Sequence, residues 1–356
     1  MRILVYGFSG EKGGKEEYMM NLNLQSNKND IYFDYIIEGG NHYYNDRIKE
    51  YSGDAYYYTV RNLIQKMREI KKIIYRNAKK YDYFYFNTSG LYFIMPIIYA
   101  KKCGIKVIVH AHSARDPMLP LHYRIVNYFN RLLVNRIVKI KFACSDLASN
   151  WIFGKKGSGI LVKNGIDLKK YEFSHDIREK YRKRLGFNPE DIVLVSVGRM
   201  SYPKNQKLLI DMMSDLPNDY KLLLVGDGPD YDSLMKLSGG RDNIIFLGNR
   251  EDTEGILMAS DVFLMPSFYE GFPIAAIEAQ ATGILCLLSD RITRQARIIE
   301  QVKYLSIDNR KEWLEAIIKR PKYERTAAEK VLKRNCFDVK DASSHVIDIL
   351  LRAEGA

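Results

Sequence analysis

Cysteine is scarce in this chain. The 356 residues hold four, Cys103, Cys144, Cys286 and Cys336, and no two of them form a CxxC pair. Such spacing gives no disulfide framework and no zinc site, and reduced thiols of a cytoplasmic protein are expected. Long apolar runs are missing as well. The most apolar stretch, Leu91 to Ala100, is interrupted by Pro96 and is too short to span a bilayer. The run Ile3-Leu4-Val5-Tyr6 is too short for the apolar region of a signal peptide and reads as a first buried strand. A soluble or peripheral protein is expected, not an integral one. No repeat of solenoid length is visible, and local bias is confined to tyrosine patches such as Tyr56-Tyr57-Tyr58.

Acidic charge is short in one half only. Residues 1–170 carry 28 Lys+Arg against 14 Asp+Glu, whereas the remainder carries 27 against 29, for a net charge of +12 over the chain. A basic front half points to an anionic partner: nucleic acid, a phospholipid surface or a phosphate-bearing substrate. The composition, 46% hydrophobic and 28% charged, is that of a globular protein with enough length for two domains.

Short apolar runs alternate with longer amphipathic stretches, the pattern of a parallel-sheet α/β protein. Strands are predicted at Arg2–Tyr6, Tyr32–Ile37, Tyr83–Asn87, Val107–His110, Lys141–Cys144 and Gly159–Val162. A second series begins at Ile192–Val197 and continues at Lys221–Val225, Asn243–Phe246, Val262–Met265 and Leu285–Leu288. Two βα series imply two Rossmann-like domains facing each other across a cleft. The predicted domains are 1–169 and 170–337, with a C-terminal helix at about 338–356 packing back on the first. Ligands of such sheets bind at the carboxyl ends of strands, so the residues that follow strands are the candidates.

The first strand runs into Gly7-Phe8-Ser9-Gly10-Glu11-Lys12-Gly13-Gly14-Lys15 and then a helix. This glycine-rich loop lacks both the P-loop and GxGxxG spacings; it fits a phosphate cradle or a plain βα turn. Strand Ile192–Val197 ends in Gly198-Arg199-Met200-Ser201-Tyr202-Pro203-Lys204, with a guanidinium and an ammonium five residues apart that suit a diphosphate. The next strand ends in Gly226-Asp227-Gly228-Pro229. The Asp230-Tyr231-Asp232 behind it has the DxD form but reads as the first turn of a helix rather than a metal site. The sharpest segment is Pro266-Ser267-Phe268-Tyr269-Glu270-Gly271-Phe272-Pro273-Ile274-Ala275-Ala276-Ile277-Glu278. Glu270 is expected at the mouth of a helix and Glu278 two turns further along on about the same face. That pair suits an elongated polyol ligand.

Taken together, these residues resemble the GT-B-fold glycosyltransferases of family 4, retaining and metal-independent enzymes that use nucleotide-sugar donors. The resemblance spans most of the chain. It runs from Gly13-Gly14 through His110-Ala111-His112, Cys144-Ser145, Asn164-Gly165-Ile166-Asp167, Gly198-Arg199 with Lys204, and Gly226-Asp227-Gly228-Pro229 to Asp261, Pro266-Ser267 and the Glu270–Glu278 E-x7-E pair. It implies that Arg199 and Lys204 bind the donor diphosphate and stabilise the leaving nucleotide. It implies further that Glu278 holds the ribose hydroxyls, and that Glu270 and His112 contact the transferred sugar. Gly13 and Gly14 would border the diphosphate, and Gly226, Gly271, Phe272 and Pro273 would line the donor site. His110 is expected on the opposite side of its strand. No cofactor or metal is implied, only a nucleotide-sugar co-substrate, expected to be a UDP-sugar.

One segment departs from the family pattern. Where many members read Gly-Gly-x-x-Glu, this chain has Ser289-Asp290-Arg291-Ile292-Thr293-Arg294-Gln295-Ala296. Arg291 and Arg294 are then either substitute phosphate ligands or surface charge.

Much of the front-half charge lies on two amphipathic stretches, 61–80 and 121–141. Their apolar faces are expected to pack on the sheet, leaving Lys66, Lys71, Lys72, Arg124 and Arg131 to face acceptor and anionic lipid. No nucleic-acid-binding motif is present. The resulting expectation is a peripheral enzyme on the inner face of the cell membrane. It would move a sugar onto a lipid-linked glycan in bacterial capsule or exopolysaccharide assembly. The alternatives are a catalytically silent GT-B partner subunit and a nucleotide-sugar epimerase. The sequence assigns no oligomeric state.

Overall fold

The computed structural model describes all residues except 10, 12, 41, 42, 156–158, 322, 324, 326, 327, 355 and 356. Gly10 and Lys12 of the glycine-rich loop therefore lie outside the described residues. The chain forms two compact units, Met1–Gly165 with Val339–Ala356, and Ile166–Asp338.

The first unit has seven strands: β1 (Arg2–Phe8), β2 (Tyr32–Glu38), β3 (Ala55–Tyr58), β4 (Tyr83–Thr88), β5 (Lys106–Ala111), β6 (Ile140–Ala143) and β7 (Ile160–Leu161). They pair in parallel in the order β3-β2-β1-β4-β5-β6-β7. A parallel sheet is covered on both faces, which is why its strands are apolar throughout rather than alternating. All six residues of β4 are buried. The core is rich in tyrosine, with Tyr35, Tyr83 and Tyr85 fully buried. A buried tyrosine usually finds a partner for its hydroxyl, though that of Tyr83 has none among the described residues. Tyr35 meets Asn23 at 3.3 Å, Tyr85 meets His110 at 2.8 Å, and the buried Tyr81 donates to Asp34 at 2.7 Å. The helix Val339–Glu354 adds Val346, Ile347 and Leu350 to this core.

The second unit has six: β8 (Ile192–Val197), β9 (Tyr220–Val225), β10 (Ile244–Gly248), β11 (Val262–Met265), β12 (Leu285–Ser289) and β13 (Val302–Leu305), parallel in the order β10-β9-β8-β11-β12-β13. The units divide at Gly165/Ile166, four residues before the predicted 169/170 boundary. Ile166, Leu168 and Tyr171 belong to the second core, and Ile166 accepts no role in the first. The charged stretch that follows this division holds a helix, His175–Arg184. Its Arg178 and Arg182 reach the carbonyls of Met258, Ala259 and Ser260 and the carboxylate of Asp261, closing the end of the helix Thr253–Ala259.

In each sheet the strand order reverses once, between β1 and β4 in the first unit and between β8 and β11 in the second. At such a reversal the connections leave in opposite directions and open a crevice outside the carboxyl ends of the strands. The glycine-rich loop follows β1, the Arg199–Lys204 loop follows β8, and the Glu270 loop follows β11. Topology alone therefore selects the same loops that the sequence motifs single out.

Candidate active site

In the second unit, three loops are knitted together at the β8/β11 reversal. Gly226 and Gly228 make this possible. A Cβ on Gly226 would lie 2.1 Å from the Gly198 carbonyl oxygen, and one on Gly228 would lie 2.3 Å from that of Met200. Met200 in turn donates to Asp227 at 2.9 Å and accepts from Asp230 at 3.0 Å. On the other side, Phe268 donates its backbone N–H to Pro203 at 2.8 Å, Asn205 reaches the Pro266 carbonyl at 3.3 Å, and Tyr202 stacks on Phe268 with ring centroids 5.0 Å apart.

This frame sets Lys204 against Glu270. Lys204 Nζ lies 2.7 Å from Glu270 Oε1, and the buried Ser267 donates its hydroxyl to the same oxygen at 2.7 Å. The pair is well shielded, with side-chain exposures of 24% and 11%. Lys204 is thus not a solvated loop cation. Arg199 is exposed on the same loop, whose backbone is pinned by Gln206 Nε2 on the Arg199 carbonyl at 3.1 Å. Gly271 and Pro273 are buried beneath the loop, and Phe272 stacks on Phe337 at 5.7 Å.

The two glutamates do not share a helix face. The helix begins at Ile274, so Glu270 belongs to the loop and counting turns from it has no meaning. Glu278, in the second turn, is instead engaged by Tyr171, whose hydroxyl hydrogen-bonds both Glu278 and Thr253. Burial first, and then the Glu278 charge, push the Tyr171 hydroxyl far above its ordinary range, so it stays a donor to that carboxylate. Ser267 and Tyr171 were not found by sequence reasoning. Ser267 sat inside the quoted motif, whereas nothing in the pattern marked Tyr171.

Asp230 and Asp232 lie at the start of the helix Tyr231–Ser238, as expected of carboxylates that favour a helix N-terminus. Arg291 pairs with Asp308 at 2.7 Å, and Arg294 lies over the Tyr304 ring at 4.0 Å. Both cations in the segment that departs from the family pattern therefore have partners within the second unit.

The first unit brings its own candidates to the β1/β4 reversal. Gly7, at φ +84°, lets β1 press against β4: a Cβ there would stand 2.1 Å from the Asn87 carbonyl oxygen. Gly13 precedes the helix Gly14–Ser26, and the buried Glu16 accepts from Ser9 N at 3.1 Å and Ser9 Oγ at 2.7 Å, tying the loop back. His112 follows β5, with Nε2 2.6 Å from Asn87 Oδ1. His110 is not on the opposite side. Residues two apart in a strand share a face, and the two imidazoles lie 3.8 Å apart. Burial lowers His110 to about 3, and burial, His110 and Lys15 hold His112 well below its ordinary value.

This has a consequence for stability. The unfolded chain protonates His110 below about pH 6.5, the folded chain only near 3. Between those values the unfolded state binds more protons, so stability falls as pH drops, by up to about 1.4 kcal/mol per unit. Denaturant midpoints at pH 7 and pH 5 should converge in His110→Gln relative to the parent; a parallel fall in both proteins would exclude this origin. In the second unit, Gly226→Ala is expected to cost about 1–3 kcal/mol from the strained φ of +131° and the clash with Gly198. Thermal denaturation should show the loss.

Residues 177–330 match the family described as Glycosyl transferases group 1. The match lies within the second unit, Ile166–Asp338. Among relatives of this chain is EpsF of Bacillus subtilis (strain 168), provisionally named a glycosyltransferase. It is 26% identical over 310 residues, 80% of this chain and 78% of EpsF. The UDP-Gal:alpha-D-GlcNAc-diphosphoundecaprenol alpha-1,3-galactosyltransferase of Escherichia coli is 28% identical over 250 residues, 64% of this chain and 63% of that protein. The structure of HepE from Anabaena in complex with UDP superposes with a TM-score of 0.81 at 20% identity, covering 99% of this chain and 100% of HepE. The chain has the two-domain GT-B fold.

Of the two basic helices, only the second departs from expectation in the face it turns inward. On the helix Leu63–Asn77, Ile70 and Ile74 are buried, but Lys66 is tied to Glu38 at 2.5 Å, Lys72 lies 3.9 Å from Glu69, and Lys71 sits over Tyr75. The helix Leu121–Ile137 is inverted. It docks through Asn127, Asn130, Asn135 and Val134, with Asn127 accepting from Leu91 N at 2.7 Å, Asn130 donating to the Leu91 carbonyl at 2.6 Å and Asn135 to that of Phe153 at 2.8 Å. Its apolar side chains face outward: Leu121 is 65% exposed, Phe129 63% and Leu132 52%. Arg124 and Arg131 flank a shallow cavity of about 300 Å³ on this face, lined also by Leu121, Ile125, Phe129 and Trp151. Among the described residues no helix is long and apolar enough to cross a membrane.

Proposed function

We propose that this protein is a retaining, metal-independent glycosyltransferase. It transfers a sugar from a UDP-sugar to a lipid-linked glycan during bacterial capsule or exopolysaccharide assembly, while seated on the inner face of the cell membrane. The observation that carries the proposal is the Ser267–Glu270–Lys204 cluster, built at the strand-order reversal of the unit that carries the family match.

Each residue then has a task. Lys204 and Arg199 neutralise the diphosphate as it departs, the place where charge grows most in the transition state. Glu270 orients Lys204 through Oε1, and Oε2 accepts a hydroxyl of the sugar. Glu278, oriented by Tyr171, accepts from the ribose diol. Gly13 and Gly14 leave room for the diphosphate, and His112 contacts the transferred sugar. With two side-chain cations on the diphosphate, no divalent ion is required, and EDTA should leave the initial rate unchanged. Lipid linkage in the Escherichia coli relative and the outward apolar helix support a lipid-borne acceptor and a membrane seat.

The test is transfer from a panel of radiolabelled UDP-sugars to a short glycan on polyprenyl diphosphate, with the anomeric configuration of the product read by NMR. Absence of transfer and of donor hydrolysis, despite UDP-induced thermal stabilisation, would favour a silent partner subunit. An inverted product would remove the retaining assignment.

A further inference from the structure

We infer that Asn87 is a positioning residue: its side-chain carbonyl holds His112 in the Nε2–H tautomer, so that Nδ1 is presented to the transferred sugar as a hydrogen-bond acceptor. The inference rests on the proposed role of His112 beside that sugar and adds which atom acts and what fixes it.

Asn87 lies near the end of β4, paired in register with His110 of β5, and is 3% exposed. Its main chain is held in place, because the irregular β1 backbone at Gly7 packs directly on its carbonyl. The 2.6 Å bond joins Asn87 Oδ1 to His112 Nε2. An amide oxygen only accepts, so the imidazole nitrogen must carry the proton. In a neutral ring the other nitrogen, Nδ1, then holds the lone pair.

The surroundings keep the ring neutral. From β5, His110 stands 3.8 Å away. From the helix Gly14–Ser26, Tyr18 presents its edge at 5.7 Å and Lys15 adds positive charge. The carboxylate on that helix, Glu16, is occupied by Ser9 and Lys15. From β4, Tyr85 is bonded to His110, and burial raises both the Tyr85 and Tyr18 hydroxyls. Cys144, whose N–H reaches Ala111, completes the surroundings. None of these groups supplies the negative charge an imidazolium would need.

Asn87 is also a poor choice for stability alone. Its Nδ2 is buried without a hydrogen-bond partner among the described residues. An unpaired buried amide is costly, and an apolar side chain would fill the same place without that cost. A polar group retained at a cost, with its one bond spent on His112, is the pattern of a residue kept for chemistry. The substrate consequence follows: an Nδ1 acceptor requires a hydroxyl hydrogen on the sugar, so a donor deoxygenated at that position should be strongly disfavoured.

The experiment uses the full-length protein with ¹⁵N-labelled histidine. The chain has six histidines, and the His112 signals are those absent in His112→Gln. The expected result is a protonated Nε2 and a bare Nδ1 at His112, unchanged between pH 8 and pH 5. A protonated Nδ1, or a titration midpoint inside that range, overturns the inference. Kinetically, Asn87→Ala should lower kcat about 10–100-fold with little change in the donor KM. Asn87→Asp keeps an acceptor but adds the missing negative charge. It should recover most of kcat at pH 8 and lose it toward pH 5, an acidic limb the parent lacks. Equal effects of Ala and Asp at every pH would reduce Asn87 to a structural residue and overturn the inference. A wild-type protein with the expected tautomer but no transfer from any nucleotide sugar would instead overturn the proposed activity.

Discussion

Replacing Lys204 by alanine is expected to lower kcat/KM for the donor by about 10²–10³-fold, the usual effect of removing one preorganised charge from a departing anion. Lys204 is placed for that work rather than for stability. It ends a single turn, Tyr202–Lys204, between β8 and the helix Gln206–Met212, and its ammonium is held by Glu270. Glu270→Gln should cost less, because Ser267 and Lys204 can still bond an amide oxygen, while Glu270→Ala removes both the orienting group and the sugar contact. The two residues act through one bond, so Lys204→Ala with Glu270→Ala should cost far less than the product of the single effects. Folding is controlled by thermal denaturation of the free proteins, since Lys204→Ala leaves Glu270 without its counter-ion. Near-wild-type turnover in Lys204→Ala and in Glu270→Ala, in proteins that melt normally, would remove the catalytic assignment.

The parts of this fold that were legible in the sequence are those where local chemistry leaves one choice. Ile192–Val197 and Val262–Met265 have the bounds the pattern predicts, because these central strands are apolar and end at glycine or proline. The edge strands Ala55–Tyr58 and Val302–Leu305 were not predicted. Both are short and partly exposed, and no alternation of four residues distinguishes them from loop. The charged helix His175–Arg184 was hidden for the opposite reason: its arginines are spent on the carbonyls of another helix, a partner no local window contains. At the site, the residue types were legible and their pairings were not. Lys204 and Glu270 were both singled out, yet their ion pair spans 66 residues of sequence. Asn87 gave no signal at all, since its meaning lies in the registry of β4 with β5.

The helix Leu121–Ile137 shows the same limit and leads to the second large effect. Periodicity revealed its two faces but not which one turns inward, because three asparagines can dock a helix as well as three leucines when each amide finds a backbone partner. Outward-facing Leu121, Phe129 and Leu132 beside Arg124 and Arg136 make a face suited to the boundary between headgroups and acyl chains. Each apolar side chain that leaves water completely contributes about 1.5–3 kcal/mol, and each cation near an anionic surface about 1 kcal/mol. Phe129→Asp together with Leu132→Asp should therefore weaken binding to vesicles containing phosphatidylglycerol by at least about 10²-fold. Charge reversal at Arg124 and Arg131 should weaken it less, and mainly at low salt. The two classes separate the forces. Loss in the aspartate pair that persists at high salt identifies insertion of the helix, whereas loss only in the arginine variants identifies adsorption by charge. The aspartate pair should retain transfer to a short water-soluble acceptor, because neither residue is among the candidate site residues. Vesicle binding unchanged in all four positions would rule out this helix as the membrane seat.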